Sequence, residues 1–158
     1  MTNTYLSFVV CGELFAVNVV KVLEVLQKQH ITHVPNAPQY IKGIINFRGE
    51  VIPVFESRTK FNFQERENNE SFVVIVLDLS HDSEVFRIGA LVDKVKDVIS
   101  IEDNEIKPVP IMSKEFNTSF LQGIYKQNED FIMMLDVERV FTGDEISILK
   151  ETSTMEKV

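Results

Sequence analysis

The residues with the clearest chemical potential lie in a predicted hairpin at 41–58, I-K-G-I-I-N-F-R-G-E-V-I-P-V-F-E-S-R. Short β-branched runs flank a turn that contains Gly49, and glycine enters φ > 0 without steric cost, so the pattern is typical of a hairpin. The turn would hold the guanidinium of Arg48 at its tip. A guanidinium can form a bidentate pair with a carboxylate, so Arg48 is a candidate contact for an acidic partner. Alternatively, it caps backbone carbonyls.

The other reactive side chains do not assemble into a reaction centre. Cys11, the only cysteine, and the scattered serines show no nucleophile–base spacing. His30 and His33 could hold a metal on a helix, but the surrounding apolar residues and proline favour a strand-to-loop passage. Glu50 and Glu56 could form an acid/base pair, yet solvated carboxylates explain them better. The sequence has no glycine motif for phosphate. We predict no catalytic residue, no metal and no cofactor.

Length and charge narrow the class of protein. The 158 residues carry a formal net charge of -8, with 24 acids against 16 bases. We expect a single domain over 1–158. The acidic balance argues against nucleic acid or an anionic membrane as the main partner. The longest apolar run, 72–77, is far shorter than the ~20 residues that cross a bilayer, and the amino terminus does not resemble a signal peptide. We therefore expect a cytoplasmic protein without direct membrane insertion.

Strand signals dominate the remainder of the chain. They predict a hairpin at 6–17, strands at 72–79, 85–92 and 95–101, and a second hairpin at 120–136. Pro53 cannot donate to a ladder, so its strand should be an edge strand, or its nitrogen should face away from a partner. The polar run 61–71 is typical of a mobile connector.

Helices are expected to be few and short. Asn18 can cap one helical turn, and the β-branched residues after it favour a return to strand. Thr142 to Glu145 has the T-x-x-E form of a capping box, which predicts a C-terminal helix at about 143–151.

A weak internal repeat organises these elements. Segment 21–26 resembles 94–99, and Gly43-Ile44 matches Gly123-Ile124. The repeat predicts two small β-barrels of about five strands each, at about 15–70 and 71–141, with strand exchange at the amino terminus left open. Arg48-Gly49 becomes Asn128-Glu129 in the second copy. A purely structural turn would tend to keep its residues, so this difference favours a functional role for Arg48.

Two segments carry a resemblance to a known family. L-S-F-V-V-C-G-E-L-F-A-V-N-V-V-K-V-L-E-V and P-Q-Y-I-K-G-I-I-N-F-R-G-E-V-I-P-V-F-E-S-R-T-K-F resemble the CheW family, adaptors of bacterial chemosensory arrays. The resemblance runs from about Tyr5 to Lys150, and K-G-x-x-N-x-R-G-x-x-x-P is its most specific part. It implies a mostly β fold of two five-stranded SH3-like β-barrels packed together, with short helices and a C-terminal helix, and no catalytic activity.

The resemblance also implies partners and contact residues. Family members bridge the cytoplasmic tip of chemoreceptors to the regulatory domain of the histidine kinase CheA, and are recruited through receptors to the inner face of the membrane. Self-association or contacts within CheW-like rings are left open. The implied receptor- or kinase-binding residues are Val22, Glu24, Lys42, Gly43 and Arg48.

Two departures from the family pattern stand out. Glu56-Ser57-Arg58 replaces the usual Asp-Leu-Arg, which puts the packing or binding at the end of that strand in doubt. Asn18 replaces a common aspartate, which keeps a cap but removes a charge.

Several readings remain open beside the adaptor. The chain could be a CheW-like regulatory module of a kinase or of a receiver-fused, CheV-like protein, or an adaptor of a non-motility pathway. A groove between barrels could instead bind a small ligand, although it would equally suit an amphipathic helix. Val22 could be plain core, whereas Glu24 lies amid valines and needs solvent or a partner.

Overall fold

The computed structural model describes residues 1–67, 70–81, 84–110 and 118–154. The strands are β1 (Thr2–Val10), β2 (Glu13–Asn18), β3 (Val22–Gln27), β4 (Ile41–Phe47), β5 (Glu50–Glu56), β6 (Val73–His81), β7 (Glu84–Val92), β8 (Lys94–Glu102), β9 (Leu121–Gln127) and β10 (Asp130–Leu135). The α-helices are α1 (Ser57–Lys60) and α2 (Gly143–Thr154), and 3₁₀ turns cover Val19–Lys21, Asp103–Glu105 and Val137–Arg139. No helix in this described part of the chain is long and apolar enough to span a membrane.

The strands form two five-stranded sheets, as the fold class predicted. One, the central barrel, has the order β3-β6-β7-β5-β4, and the other, the terminal barrel, has the order β8-β1-β2-β10-β9. The expected boundaries at 15–70 and 71–141 do not coincide with these sheets. All five strands of the central barrel come from within 22–92, while the opening hairpin pairs with β8 and β10. Both opening strands therefore belong to the terminal barrel.

The two sheets repeat one arrangement. If β3, β4 and β5 are matched to β8, β9 and β10, and β6 and β7 to β1 and β2, the two strand orders are identical. The one parallel pair of each sheet also corresponds, β5 with β7 and β10 with β2. The sequence repeat thus reflects two copies of one strand arrangement.

Apolar side chains fill three regions. Each barrel has its own interior, built around residues such as Ile52 in the central barrel and Ile132 in the terminal barrel. The largest cluster lies between the barrels and includes Phe55 and Phe15. Helix α2 adds Leu149 to this shared core, so it closes the junction of the barrels. Burial of this apolar surface supplies the main force holding the two barrels together.

Local signals for helix starts are confirmed. Asn18 accepts a hydrogen bond from the Val20 amide at 3.0 Å, and the 3₁₀ turn runs directly into β3. Helix α2 begins at the predicted capping box: the Glu145 amide donates to Thr142 Oγ1 at 3.1 Å, and the Thr142 amide donates to Glu145 Oε1 at 2.8 Å.

Pro53 lies in an interior strand, not at an edge, because β5 runs between β7 and β4. It comes just before Val54, the first residue of β5 to pair with β7. The missing N–H therefore interrupts no rung of that ladder, which is the second of the two arrangements expected.

The predicted mobile connector packs as part of the fold in its described residues. The ring of Phe61 stacks on Phe15 at 5.4 Å and on Phe120 at 5.1 Å. The side chain of Arg66 is only 6% exposed. The prediction of mobility relied on polar composition and missed these two anchoring side chains.

Candidate functional site

Arg48 and Glu24 form an exposed ion pair on the central barrel. Arg48 Nη2 lies 3.1 Å from Glu24 Oε2, and the Arg48 guanidinium stands 4.7 Å from the centre of the Phe47 ring. The two side chains are 67% and 40% exposed. In the described part of the chain, the guanidinium thus binds a carboxylate rather than a backbone carbonyl. The pair remains accessible to a partner.

Sheet curvature brings these two residues together. Glu24 lies on β3 and Arg48 follows β4, and these strands are the opposite edges of their sheet. Their contact therefore closes the barrel. The register with β6 shifts between Val22 and Glu24, as at a β-bulge, and bulges re-aim the side chains beside them.

The turn itself holds Arg48 in an unusual backbone conformation. Its φ is 52° and that of Gly49 is 82°, values typical of the two-residue turns that match strand twist. The Gly49 amide donates to Asn46 Oδ1 at 2.9 Å, which fixes the loop. A bulky residue at positive φ is disfavoured, whereas asparagine tolerates it. The equivalent Asn128 has φ 55°, so only the first copy places an unfavourable residue there.

Lys42 lies on the outward face of β4, between the buried residues Ile41 and Gly43. Arg48 follows Lys42 by six positions, a distance of about 20 Å along an extended strand. It borders an open cleft of about 350 Å³ whose lining includes His33, Gln39 and Thr59. The structure therefore brings Glu24 and Arg48 together, with Lys42 as a separate cation on the same barrel.

Gly43 is buried in the barrel wall, where another segment approaches its backbone. A Cβ at this position would lie 2.1 Å from the Thr32 carbonyl oxygen. Thr32 and Ile44 exchange two backbone hydrogen bonds of 2.9 Å each. In the second barrel, a Cβ on Gly123 would lie 2.5 Å from the Lys107 carbonyl oxygen. Because both copies share the approach, Gly43 is explained by packing.

Val22 is half-buried and packs against the shared core. This position is compatible both with a core residue and with a contact residue, because part of the side chain is buried and part is exposed.

Sequence reasoning missed a buried ionic junction between the barrels. Arg58 contacts Asp93 twice, with Nε–Oδ1 at 3.2 Å and Nη2–Oδ2 at 2.8 Å, and its Nη2 also lies 2.8 Å from Glu70 Oε2. Arg66 contacts both oxygens of Glu56 at 3.2 Å and Asp93 Oδ1 at 2.8 Å. The only sequence signal was Arg58, which the family pattern includes.

Asp93 is the hub of this junction. It links β7 of the central barrel to β8 of the terminal barrel, and its Oδ2 accepts a hydrogen bond from the Cys11 amide at 2.9 Å. Burial alone would raise the pKa of the Asp93 carboxyl. The hydrogen bonds from Arg58, the Cys11 amide and Arg66 outweigh burial and hold that pKa below its usual value.

Glu56, which replaces the usual aspartate of the family pattern, both caps α1 and binds Arg66. Its Oε1 accepts from the Arg58 amide at 3.2 Å, as a cap of α1. Its carboxylate also accepts two hydrogen bonds from the Arg66 guanidinium, and its side chain is 7% exposed. The longer side chain thus supports the ionic junction.

A second polar cluster fastens α2 to the central barrel. Lys60 Nζ lies 2.8 Å from Glu145 Oε2 and within 4.6 Å and 5.0 Å of the ring centres of Tyr40 and Phe141. Burial opposes ionisation of Glu145, but the bonds from Lys60 and the Thr142 amide outweigh it and lower the pKa. Burial and Glu145 together raise the pKa of Tyr40 to about 12.

Over the described ranges, no group of three or more His, Cys, Asp or Glu side chains could hold an ion.

Comparison with known proteins identifies the family. Residues 4–145 match the family model described as a CheW-like domain. The chain belongs to the CheW family. It is 30% identical over 145 residues to chemotaxis protein CheW of Klebsiella aerogenes, which covers 92% of this chain and 85% of that protein. Chemotaxis protein CheW of Bacillus subtilis is 32% identical over 133 residues, covering 84% and 83%.

A solved CheW structure has the same fold. The crystal structure of scaffolding protein TtCheW from Thermoanaerobacter tengcongensis aligns with a TM-score of 0.78 at 29% identity, covering 92% of this chain and 96% of that one. The predicted resemblance and the predicted fold of two SH3-like barrels are both confirmed.

Proposed function

We propose that this chain is a non-catalytic adaptor that couples transmembrane chemoreceptors to the histidine kinase CheA. The observation that carries the proposal is the CheW-like domain, which spans 4–145 and therefore both barrels. The relatives described above are named chemotaxis protein CheW, and the solved neighbour is named a scaffolding protein. A kinase module or a receiver-fused protein is therefore not the favoured alternative.

The Glu24–Arg48 pair is the proposed centre of the receptor contact. The Arg48 guanidinium already contacts Glu24 and the Phe47 ring at the tip of the hairpin, so part of its ordering precedes binding. A carboxylate on the receptor tip can share the exposed face of the guanidinium. The half-buried Val22 lies on the same strand as Glu24 and offers an apolar contact for a helix.

Lys42 is proposed to act at longer range. It is exposed on β4, about 20 Å from Arg48 by strand geometry. A cation at that distance can attract an extended acidic partner, and its effect should weaken as salt concentration rises. Gly43 is proposed to act only through the barrel wall that carries Lys42.

Exposed apolar side chains are candidate contacts for the CheA regulatory domain. Val20 and Val85 are 75% and 68% exposed, and Val98 and Phe131 of the terminal barrel are 65% and 59% exposed. Single exposed apolar residues are common on protein surfaces, so these four residues are candidates on exposure alone. Binding to receptors would recruit the protein from the cytoplasm to the inner face of the membrane, and ring contacts between copies remain part of the proposal.

Co-sedimentation with receptor-containing membranes and purified CheA tests the proposal. We expect the wild type to sediment only when receptor-containing membranes are present, and to sediment more when CheA is added to them. Arg48→Glu should reduce the sedimented fraction while the melting curve stays close to that of the wild type. Arg87→Glu is the matched control, because Arg87 is also a half-exposed arginine of the central barrel, paired with Glu50 at 2.7 Å.

Two outcomes would count against the proposal. Failure of the wild type to sediment with any receptor–kinase pair would contradict the adaptor function. Equal sedimentation of Arg48→Glu and wild type would contradict the assigned role of the hairpin.

A further inference from the structure

A short segment after α1 reaches from the central barrel onto the terminal barrel. We call residues 61–67 the strap. It begins at the end of α1, beside β5, yet its Phe61 stacks between Phe15 of β2 and Phe120, which precedes β9. The Phe63 ring meets Phe15 edge-on at 6.1 Å, and the Phe63 amide donates to the Arg58 carbonyl at 2.7 Å. The strap thus has apolar contacts with the terminal barrel and backbone contacts with the central one.

Arg66 supplies the polar anchor of the strap. Its guanidinium contacts Glu56 through Nε and Nη2, Asp93 Oδ1 through Nη2 at 2.8 Å, and the Ser71 carbonyl through Nη1 at 3.2 Å. All three nitrogens of the guanidinium are therefore engaged, with the side chain 6% exposed. Asp93 is the residue at which the chain crosses from one barrel to the other. The anchor consequently acts at the covalent link between the barrels.

We propose that Arg66 is a positioning residue, which holds the strap across the junction and thereby fixes the orientation of the two barrels relative to each other. A partner that touches both barrels would bind with less reorganisation when this orientation is fixed. That consequence for binding rests on the proposed adaptor function, whereas the orientation itself does not.

The distribution of contacts separates Arg66 from the residues that fold each barrel. Arg58 keeps its two contacts with Asp93 if Arg66 is removed, and each barrel keeps its own interior cluster. Loss of Arg66 leaves Glu56 and Asp93 with less compensating charge and releases the polar end of the strap. The change should therefore fall on the strap and the junction.

Arg66→Met is the primary variant, since it keeps an unbranched apolar stem without the charge. Hydrogen exchange should become about tenfold faster at the Phe63 amide, because the strap opens without global unfolding. Spin labels at Gln27 and Lys126, exposed residues of β3 and β9, should report a broader distance distribution in a Cys11→Ser background. Arg66→Lys should show smaller changes in both measurements than Arg66→Met. Lysine keeps the positive charge but cannot donate the paired hydrogen bonds of a guanidinium.

Matched variants keep the test decisive. Arg87→Met removes an arginine from the outer face of the central barrel and should change neither readout. If Arg66→Met fails to fold, Glu56→Gln combined with Arg66→Met removes the uncompensated carboxylate and should fold with a released strap. Failure of this double variant to fold would overturn the proposal, as would wild-type exchange and distances in Arg66→Met.

The binding consequence is measured separately. Arg66→Met should sediment less with receptor membranes and CheA than Arg87→Met does. Wild-type sedimentation in Arg66→Met, together with a broadened distance distribution, would refute the link to binding. If the wild type itself does not sediment, the adaptor function fails, while exchange and distances still decide the role of Arg66.

Discussion

Replacement of Gly43 with alanine separates packing from recognition at a residue that the family resemblance implies is a contact. The added Cβ would lie 2.1 Å from the Thr32 carbonyl oxygen and 2.8 Å from the Thr32 carbonyl carbon. Both atoms are backbone, so no side-chain rotation relieves the contact. The segment around Thr32 must move away from β4, which breaks its two hydrogen bonds with Ile44.

The expected cost follows from those contacts. Two backbone hydrogen bonds contribute about 0.5–1.5 kcal/mol each, and overpacking of a tight site costs about 1–3 kcal/mol. Because the segment can move as these bonds break, the terms overlap, and we expect a loss of about 2–4 kcal/mol in the free energy of unfolding. For a protein of this size, that loss lowers Tm by roughly 5–15 °C.

Urea denaturation of three alanine variants provides the assay. Gly123→Ala meets the equivalent contact in the terminal barrel, with the Lys107 carbonyl oxygen at 2.5 Å, and should be destabilised to a similar degree. Gly143→Ala meets no atom within 4 Å at the start of α2 and should be neutral or stabilised by up to about 1 kcal/mol. If Gly43→Ala is as stable as the wild type yet no longer sediments with receptor membranes, Gly43 is a contact residue and the packing argument is refuted.

Three further predictions concern single side chains. Arg48→Ala should change the urea midpoint little, because an exposed ion pair contributes about 0–1 kcal/mol. The same variant should bind a receptor fragment about 1–3 kcal/mol more weakly in calorimetry. A larger loss of stability than of affinity would contradict this prediction. Asp93 has a lowered pKa when folded, so its stabilisation is present above its unfolded-state pKa and is lost as pH falls through the folded value. Urea midpoints should therefore fall more steeply below pH ~4 in the wild type than in Asp93→Asn, and parallel curves would refute this. Thr142→Ala should cost about 1 kcal/mol in urea denaturation by removing the cap of α2, with an unchanged midpoint as the contrary result.

Local features of the fold were predictable because their causes lie within a few residues. The capping box at Thr142, the cap at Asn18 and the turn at Arg48 all depend on neighbouring side chains and backbone geometry. The sheets do not follow the expected division into 15–70 and 71–141, for the opposite reason. Strand signals identify strands without identifying their partners, and the opening hairpin pairs with strands from the end of the chain.

The candidate site likewise contains residues that the local sequence predicted and one that it did not. Arg48 stood out through its turn, and Glu24 through its apolar neighbours, and these two residues do form a pair. Arg66 escaped notice because it lies in a polar run and its partners come from other segments, with Asp93 two strands further along the chain. Burial of an arginine is decided by distant carboxylates, which no local pattern records.

The duplicated barrel provides an internal comparison that a single copy would lack. Gly43 and Gly123 meet the same backbone approach, so the barrel wall itself requires glycine there. Arg48 and Asn128 share a positive φ, so the turn requires only a residue that can adopt it. Asparagine meets that requirement with less strain, and the strain at Arg48 must therefore be offset by something outside the turn. The contacts with Glu24 and the Phe47 ring offset part of it, but an exposed pair contributes little, which is consistent with the proposed recognition of a partner by this arginine.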